Sequence, residues 1–260
     1  MTERPSTLIT GASIGIGSAL AWQAAAAGHD LVLTARRGYL LTELAEALTA
    51  RHGGRVLTIE ADLSLPDGAD RLVNEVLASG WQVDHLINNA GLGACGPVAG
   101  LPPGRLLELL QVNLVSLTTL TRLLLPSMLA RGAGGILNVA SLAAFQPGPD
   151  MAAYYASKAY VLCLSEALHE ETRGSGVRIS CLCPGATATS FAREASMEDS
   201  RLFRYGLMTA EAVAQEGWKG FSSGKRVIIP GWKNKLLATL GRLTPHVVSL
   251  RLIRRLHERA

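Results

Sequence analysis

The sequence has few aromatic residues and few cysteines. Aromatic side chains make up 5% of the 260 residues, which argues against an aromatic-rich β-sandwich. Four cysteines in a chain of this length do not form a disulfide framework, and no cluster of His and Cys accompanies Cys181 and Cys183 to complete a zinc set. We therefore predict no metal site and interpret all four cysteines as buried thiols in a reducing compartment: Cys95, Cys163, Cys181 and Cys183.

Long apolar runs are also missing. No stretch reaches the roughly 18 uninterrupted apolar residues of a membrane-spanning helix, and the first residues lack the charged start and apolar run of a signal peptide. The sequence therefore predicts a soluble, cytoplasmic protein.

Net positive charge is confined to the C-terminal tail, residues 225–260. The net charge is +4, but residues 225–260 carry nine Lys or Arg and one acid, a net of +8. Residues 1–224 carry 16 basic and 20 acidic residues, a net of −4. A nucleic-acid surface needs positive charge across the domain with aromatics interleaved, so we predict no nucleic-acid partner.

Short apolar runs alternate with segments of helical periodicity. Seven runs predict strands, at residues 6–10, 30–35, 55–61, 83–90, 134–141, 177–183 and 225–230. Helices are predicted at 18–27, 39–51, 67–79, 104–131, 152–173 and 209–221. Because the strand runs lack polar alternation, the pattern is typical of an α/β fold with a parallel sheet covered on both faces. No linker or internal repeat divides the chain, so residues 1–260 are predicted to form a single domain.

A glycine-rich turn follows the first predicted strand. Thr10-Gly11-Ala12-Ser13-Ile14-Gly15-Ile16-Gly17 leads directly into a predicted helix. Glycines in such a turn let the backbone approach a pyrophosphate, which the free N–H groups at the helix start bind. The strand-turn-helix context predicts a dinucleotide site, the alternative being a tight turn without a ligand.

Two arginines stand where the second predicted strand ends. In a dinucleotide-binding fold, an acid just past this strand binds the 2′-hydroxyl of NAD. The run Thr34-Ala35-Arg36-Arg37 has no acid, and guanidinium groups are suited to a 2′-phosphate. The run therefore favours NADP(H), the alternative being a solvated pair of basic residues that opens a helix.

Tyr154 and Lys158 are four residues apart in a predicted helix, which places a phenol and an ammonium on one face. A phenol is a poor acid–base catalyst near neutral pH unless a nearby cation stabilises the phenolate. Ser141 ends the fifth predicted strand at the ligand-binding edge, and Asn113 lies among apolar residues, where its amide needs a buried partner. The alternative for Tyr154 and Lys158 is a pair on the protein surface without a catalytic role. The alternative for Asn113 is a hydrogen-bonded residue at a helix kink.

Taken together, these residues resemble the short-chain dehydrogenase/reductase family, in an NADP-preferring subgroup with a basic C-terminal extension. The matching residues follow the family's order and spacing over residues 5–230: Thr10 to Gly17, Asn88 to Gly91, Asn113, Ser141, Tyr154, Lys158 and Pro184-Gly185. The resemblance implies a Rossmann-like, doubly wound parallel sheet of about seven strands. It also implies a catalytic tetrad with four roles: Tyr154 as general acid or base, Ser141 orienting the carbonyl, Lys158 binding the nicotinamide ribose and lowering the pKa of Tyr154, and Asn113 holding a proton-relay water.

The resemblance further implies which residues bind the cofactor. These are Gly11, Ser13, Ile14, Gly15, Ile16, Gly17, Arg36, Arg37, Asp62, Leu63, Asn89, Ala90, Gly91, Tyr154, Lys158, Pro184, Gly185, Thr187 and Thr189. Ala35 stands where NAD-preferring members carry an acid, and Arg36 matches the basic residue of NADP-preferring members. The glycine turn lacks the extra basic residue that some NADP-using members carry.

Two segments depart from the strand–helix alternation. Residues 185–208 show no sustained period after a strand and are predicted to form a mobile substrate lid. Residues 232–260 carry a leucine stripe that stops at Pro245 and a second stripe laced with arginines, a basic amphipathic extension. Such helices bind membrane surfaces in some proteins, but packing on its own domain or on a neighbouring subunit is the favoured interpretation.

These features predict an NADP(H)-dependent oxidoreductase that interconverts a ketone or aldehyde and its alcohol. The substrate pocket is predicted at residues 92–97, 142–149 and 185–208, whose apolar character favours a hydrophobic carbonyl compound. Surplus apolar residues on the helices at 106–125 and 154–168 predict a homodimer or homotetramer; examples are Val161, Leu164 and Leu168. The alternative function is an NADP-binding sensor or scaffold without turnover, which the complete tetrad disfavours.

Overall fold

The computed structural model describes residues 4–194 and 207–257. Its strands are β1 (Ser6–Thr10), β2 (Asp30–Ala35), β3 (Val56–Glu60), β4 (His85–Asn88), β5 (Gly134–Val139), β6 (Val177–Leu182), β7 (Thr187–Ala188), β8 (Met208–Thr209) and β9 (Val227–Ile228). Its helices are α1 (Gly15–Ala26), α2 (Gly38–His52), α3 (Gly68–Ala78), α4 (Pro103–Leu110), α5 (Leu117–Arg131), α6 (Ala152–Glu171), α7 (Phe191–Glu194), α8 (Ala210–Ser222), α9 (Trp232–Leu243) and α10 (His246–His257).

The seven predicted strands form one parallel sheet in the order β3-β2-β1-β4-β5-β6-β9. This Rossmann-like order confirms the predicted fold class. The chain moves outward from β1 in one direction through β2 and β3, then returns to β4 on the other side of β1. Because the connections diverge between β1 and β4, a crevice for a ligand opens at the carboxyl ends of these strands.

Alternate strand residues enter two separate cores, which explains the uninterrupted apolar runs. Leu8 and Val32 face the helices α3, α4, α5 and α6, whereas Ile9 and Leu33 face α1, α2 and α8. These four side chains are fully buried. The helices therefore cover both faces of the sheet, as the sequence predicts.

A π-helical turn at Gln111–Ser116 joins α4 to α5. Among the described residues, the combined helix Pro103–Arg131 is long and apolar enough by composition to cross a membrane, and 44% of its apolar window is buried. Leu109, Leu120 and Leu124 pack in the core beneath the sheet. This burial accounts for much of its apolar character.

The C-terminal helices pack on the chain's own domain. Ala238 and Ile253 are 4% and 6% exposed, and the Arg242 guanidinium lies 4.7 Å from the centre of the Phe145 ring. The sequence favours packing of the tail on its own domain or on a neighbouring subunit, and the structure shows packing on its own domain.

Two details of the sequence interpretation need correction. Cys181 and Cys183 are buried on one strand face with their Sγ atoms 3.7 Å apart, but Cys163 is exposed and Cys95 half-buried. Cys163 lies on the solvent side of α6, while Val161 of the same helix is fully buried against the sheet. Val161 is therefore a core residue and not surplus apolar surface for an oligomer contact. One turn of a helix carries both core-facing and solvent-facing positions.

Much of the predicted lid lies outside the described residues, namely 195–206. The described ends of that segment are more regular than predicted: β7 and β8 pair in parallel, with Thr187 opposite Met208 and Ala188 opposite Thr209. The mobility of the segment stays a prediction.

Candidate active site

The glycine turn is shaped by close backbone contacts. Gly11 and Gly15 have φ of +63° and +62°, a region that favours glycine. A Cβ on Gly17 would overlap the Gly11 carbonyl oxygen and Asn89 Nδ2. Asn89 Nδ2 donates hydrogen bonds to the Thr10 and Gly11 carbonyl oxygens at 2.9 and 3.1 Å. The side chain of Asn89, the residue after β4, therefore ties the end of β1 to the turn and holds the turn in place.

The start of α1 is suited to an anion. Ile14 precedes the helix and has no side-chain oxygen to cap it, and the first turn contains no acid. The N–H groups of a first helical turn carry the positive end of the helix dipole. Thr189 lies close above Gly15, with its Cγ2 3.0 Å from the position of a Cβ there. These groups form a cradle that fits the pyrophosphate of a dinucleotide.

The residues predicted for the adenosine side line the same cavity. Arg36 and Arg37 are exposed at the end of β2. Asp62 follows β3, and its Oδ1 accepts hydrogen bonds from the Ser64 N–H and hydroxyl at 2.9 and 2.7 Å. Partial burial tends to raise the pKa of Asp62, but the Ser64 hydrogen bonds and the Arg36 charge lower it below its usual value. Asp62 is therefore an ionised acceptor beside Arg36.

Tyr154 and Ser141 meet at the floor of the cavity. Tyr154 lies in the first turn of α6 and is 9% exposed. Burial raises the pKa of its hydroxyl to about 12, opposed by a hydrogen bond with the Ser141 side chain. Ser141 Oγ also accepts the Ala143 N–H at 3.1 Å, which fixes the hydroxyl two residues after β5 ends. The phenol is therefore protonated at neutral pH.

Lys158 lies one turn along α6 from Tyr154. Its Nζ donates to the Val139 carbonyl oxygen at 2.9 Å and lies 5.8 Å from the centre of the Tyr154 ring. Burial lowers the pKa of Lys158 to about 8, opposed by the thiols of Cys181 and Cys183. A Cβ on Gly91 would lie 3.3 Å from this Nζ. The ammonium therefore fits closely beside the backbone after β4.

Asn113 lies behind the cavity wall, in the π-helical turn. Its Oδ1 accepts the Leu92 N–H, and its Nδ2 donates to the Leu92 carbonyl oxygen and to Ser157 Oγ. Asn113 and Gly17 do not line the cavity, unlike the other predicted site residues. The buried partners predicted for Asn113 are the backbone of Leu92 and the hydroxyl of Ser157.

The strand end at Pro184 completes the rim. Leu142 N donates to the Pro184 carbonyl oxygen at 2.9 Å, and Thr187 Oγ1 donates to the Gly185 carbonyl oxygen at 2.9 Å. The Asn234 side chain of α9 covers Gly185 so closely that a Cβ would lie 2.5 Å from its Oδ1. The tail therefore contacts the loop predicted to hold the nicotinamide.

One cavity of about 490 Å³ joins these parts. Of the predicted pocket segment 92–97, Leu92 alone lines it. Sequence reasoning missed the contribution of the C-terminal helices, which supply Leu237, Ala238, Leu240, Gly241, Thr244, Ser249, Leu252 and Ile253. Ala238, Gly241 and Ser249 face inward and are buried. Small residues give no hydrophobic signal, although the spacing of three between Ala238 and Gly241 places both on one face of α9.

Among the described residues, no group of three or more His, Cys, Asp or Glu is placed to hold a metal ion. Around Tyr154 the polar groups of the cavity are instead the phenol, the ammonium of Lys158 and the hydroxyl of Ser141.

A family model described as short chain dehydrogenase matches residues 6–200. The chain belongs to this family. It is therefore an oxidoreductase with a nucleotide-binding, Rossmann-like fold.

Two curated relatives illustrate the range of the family. The chain is 37% identical over 187 residues to 1-deoxy-11-beta-hydroxypentalenate dehydrogenase of Streptomyces exfoliatus, covering 71% of this chain and 68% of the relative. It is 31% identical over 247 residues to the ketoacyl reductase HetN of a Nostoc species, covering 92% of this chain and 85% of the relative. The second match extends into the tail.

Two solved structures share the fold and differ in cofactor. A short-chain dehydrogenase from Sphingobium yanoikuyae in complex with NADPH has a TM-score of 0.81 at 33% identity, covering 88% of each chain. A short-chain dehydrogenase/reductase from Burkholderia phymatum in complex with NAD has a TM-score of 0.82 at 26% identity, covering 99% of this chain and 98% of that one. Members similar to this chain thus bind either dinucleotide.

Proposed function

We propose that the chain is an NADP(H)-dependent oxidoreductase that interconverts a hydrophobic ketone or aldehyde and its alcohol. The observation that carries the proposal is the Tyr154 hydroxyl, hydrogen-bonded to Ser141 at the floor of a cavity that continues to the start of α1. An acid–base group and an anion cradle in one cavity are what a dinucleotide-dependent carbonyl reductase needs.

The residues of the cavity fit a nicotinamide dinucleotide along its whole length. The first turn of α1 would hold the pyrophosphate, Asp62 and the arginines after β2 the adenosine half, and Lys158 the nicotinamide ribose. Gly185, Thr187 and Thr189 would hold the nicotinamide end. When bound, the reduced nicotinamide supplies a hydride to the carbonyl carbon.

Tyr154 supplies the proton in the reductive direction. Because the pKa of Tyr154 is about 12, its hydroxyl is protonated at neutral pH and can donate to the carbonyl oxygen. Ser141 orients that oxygen from the other side. The phenolate left behind is stabilised by the hydrogen bond with Ser141 and by the ammonium of Lys158, which is charged at neutral pH because its pKa is about 8. The same groups run in reverse for alcohol oxidation.

Asn113 positions the groups of the tetrad. It ties the loop after β4 to α6 through Leu92 and Ser157. Its role in holding a proton-relay water stays a prediction.

Preference for NADP(H) is supported by the end of β2. Ala35 supplies no carboxylate there, and the exposed guanidinium groups of Arg36 and Arg37 border the cavity. A 2′-phosphate placed beside them would be bound by charged hydrogen bonds.

Calorimetry with NADPH and NADH tests this preference. Arg36→Ala should weaken NADPH binding by about 1.5–3 kcal/mol, the value of a charged hydrogen bond, and leave NADH binding nearly unchanged. Arg71→Ala is a matched control, since Arg71 is exposed on α3 and pairs with Asp67 outside the cavity. Equal binding of the two dinucleotides by the unaltered chain would refute the preference.

The hydrophobic substrate is supported by the cavity wall. Leu92, Met151, Phe191 and Ile253 surround the Tyr154 end with apolar side chains. A panel of ketones and aldehydes of increasing apolar size, assayed by NADPH consumption, should show kcat/KM rising with apolar size. NADPH binding without consumption across the whole panel would favour the sensor or scaffold function instead.

A further inference from the structure

The outer face of α9 is apolar. Trp232, Leu236, Leu240 and Leu243 recur at intervals of four, four and three residues and are 71%, 53%, 49% and 76% exposed. These intervals place the four side chains on one stripe of the helix. A helix on the surface of a globular protein normally shows polar residues on this side, so the stripe requires an explanation.

The stripe is not needed to attach α9 to the domain. Ala238 and Gly241, on the opposite face, are buried, and a Cβ on Gly241 would lie 3.1 Å from Gln146 Oε1. The helix therefore already packs on the domain through small residues. Trp232, Leu236 and Leu243 point away from that contact, whereas Leu240 lies at its edge, beside the cavity.

The next helix continues the surface. Val247 and Leu252 of α10 are 66% and 57% exposed, whereas Ser249 and Ile253 are 3% and 6% exposed. Together, the exposed apolar residues of α9 and α10 form what we call the tail surface: Trp232, Leu236, Leu237, Leu240, Leu243, Val247, Leu250 and Leu252.

Positive charge surrounds the tail surface. Lys233, Lys235, Arg242, Arg251 and Arg254 are exposed, and residues 232–257 contain no Asp or Glu. Two copies of this surface facing each other would bring like charges together with no acid to pair them, which disfavours self-association. An anionic bilayer offers acyl chains to the leucines and phosphates to the cations, and each basic residue near such a surface contributes about 1 kcal/mol.

The tail surface also borders the entrance of the cavity. Leu237, Leu240 and Leu252 line the cavity and are at the same time about half exposed to solvent. A compound that enters beside these side chains passes directly from the tail surface to the apolar wall above Tyr154.

We propose that the tail surface docks the chain on an anionic lipid bilayer, with the cavity entrance facing the acyl chains, so that a carbonyl compound dissolved in the lipid enters from the membrane. The docking stands on the tail surface alone. The source of the substrate rests on the proposed function.

Sedimentation of the full chain with vesicles tests the docking. The chain should bind vesicles that contain one quarter phosphatidylglycerol in phosphatidylcholine, and binding should fall steeply in 1 M salt, where the screening length is about 3 Å. Leu236→Ser/Leu243→Ser should reduce binding about ten-fold or more, since each leucine contributes apolar burial. Neither leucine lines the cavity. Lys235→Glu/Arg251→Glu should reduce binding by a similar factor through the charge.

Leu77→Ser is the matched control. Leu77 is 55% exposed on α3, away from the tail, and its replacement should leave vesicle binding within two-fold of the unaltered chain. Absence of vesicle binding, or equal binding to pure phosphatidylcholine, would overturn the docking. So would a larger sedimenting mass in solution that Leu236→Ser/Leu243→Ser abolishes, because the tail surface would then bind a second copy.

The substrate route has a separate readout. For a lipophilic ketone dissolved in the vesicles, Leu236→Ser/Leu243→Ser should raise the apparent KM several-fold at unchanged kcat, with no change for a water-soluble ketone. An equal effect on both ketones would overturn entry from the membrane. Vesicle binding with no reduction of any carbonyl would refute the proposed function while supporting the docking.

Discussion

The carboxamide of Asn113 is bonded to both backbone polar atoms of Leu92. Its Oδ1 accepts the Leu92 N–H at 2.8 Å, and its Nδ2 donates to the Leu92 carbonyl oxygen at 2.9 Å. The Nδ2 also donates to Ser157 Oγ at 3.0 Å, and that hydroxyl donates to the Tyr154 carbonyl oxygen at 2.7 Å. One side chain therefore joins the π-helical turn, the loop after β4 and the first turn of α6.

Asn113→Ala should destabilise the fold. The substitution leaves the N–H and C=O of Leu92, a residue that is 7% exposed, without these partners. An unsatisfied buried polar group costs about 1–3 kcal/mol, so the free energy of unfolding in urea should fall by about 2–4 kcal/mol. Asn74→Ala, at an exposed position of α3, should change it by less than about 0.5 kcal/mol. Similar losses in the two variants would contradict the structural role of Asn113.

Gly17→Ala should weaken nucleotide binding. Its Cβ would overlap the Gly11 carbonyl oxygen and Asn89 Nδ2, so the turn must move. Overpacking of this kind costs about 1–3 kcal/mol, and if the cost falls on the bound state, the Kd for NADPH measured by calorimetry should rise about 5- to 150-fold. Gly104→Ala is the control, since a Cβ there meets nothing within 4 Å. If Gly17→Ala bound NADPH as tightly as Gly104→Ala, the turn would not form the phosphate cradle.

The sheet could be predicted because its strands are buried on both faces. A run such as Leu31-Val32-Leu33 sends alternate side chains into different cores, so the whole run is apolar and stands out in the sequence. Strand order places the ends of β1, β4, β5 and β6 at one edge, and a spacing of four places Tyr154 and Lys158 on one helix face. The first relation follows from the strand order and the second from local helix geometry, and both can be inferred from the sequence.

The part of the site formed by the tail could not be predicted in this way. The contacts of α9 are made by Ala238 and Gly241, which carry little apolar surface, while Leu236 and Leu243 point to solvent. A helical pattern based on apolar residues therefore predicts that the leucine face of α9 packs on the core, whereas the face with Ala238 and Gly241 does so. Likewise, the sequence shows that Asn113 needs a partner but not that the partner is a backbone 21 residues earlier, because the π-helical turn sets its direction.

Stability should fall in mild acid because of a buried histidine. Burial lowers the pKa of His85 from 6.5 to about 4, with His29 and Arg178 adding to the effect and Asp84 opposing it. The unfolded chain binds a proton below pH 6.5 that the folded chain does not. The contribution is therefore complete above pH 6.5 and is lost as the pH falls from 6.5 toward 4, by up to about 3 kcal/mol.

Unfolding free energies measured between pH 7 and pH 4 check this dependence. His85→Phe should make the slope shallower, since the T-shaped contact with Phe221 tolerates a second phenyl ring. An unchanged slope in His85→Phe would show that other groups cause the acid sensitivity.

We also predict a homodimer or homotetramer. The helices α4 to α6 expose Leu107, Val115, Leu123 and Tyr160 by 65%, 48%, 39% and 38%. Large apolar side chains on neighbouring helices fit a two-fold contact in which each patch meets its own copy. Sedimentation should give a mass of two or four chains that Val115→Arg reduces, whereas Leu77→Arg and Leu243→Ser leave it unchanged. A single-chain mass for the unaltered protein would defeat the prediction.

The last prediction concerns Tyr154→Phe. The substitution removes the hydroxyl bonded to Ser141 and keeps the ring that lies 5.4 Å from Phe191. The cavity therefore keeps its shape, and NADPH should bind with nearly unchanged affinity. Loss of a general acid typically costs about 100 to 10,000-fold in rate. Carbonyl reduction by Tyr154→Phe should accordingly fall by that factor in kcat, with little change in the Kd for NADPH.

Two neighbouring tyrosines supply the controls for this experiment. Tyr160 lies on the same helix, and its hydroxyl is 3.0 Å from Thr118 Oγ1 at the protein surface, so Tyr160→Phe should keep full turnover. Tyr155 is buried beside Tyr154 with its ring centre 6.2 Å away, and Tyr155→Phe should keep most of it. If Tyr155→Phe lost turnover and Tyr154→Phe kept it, the acid would be Tyr155. A loss of NADPH binding in Tyr154→Phe would instead show that the hydroxyl holds the cofactor site together, because the proton donor acts only after the cofactor is bound.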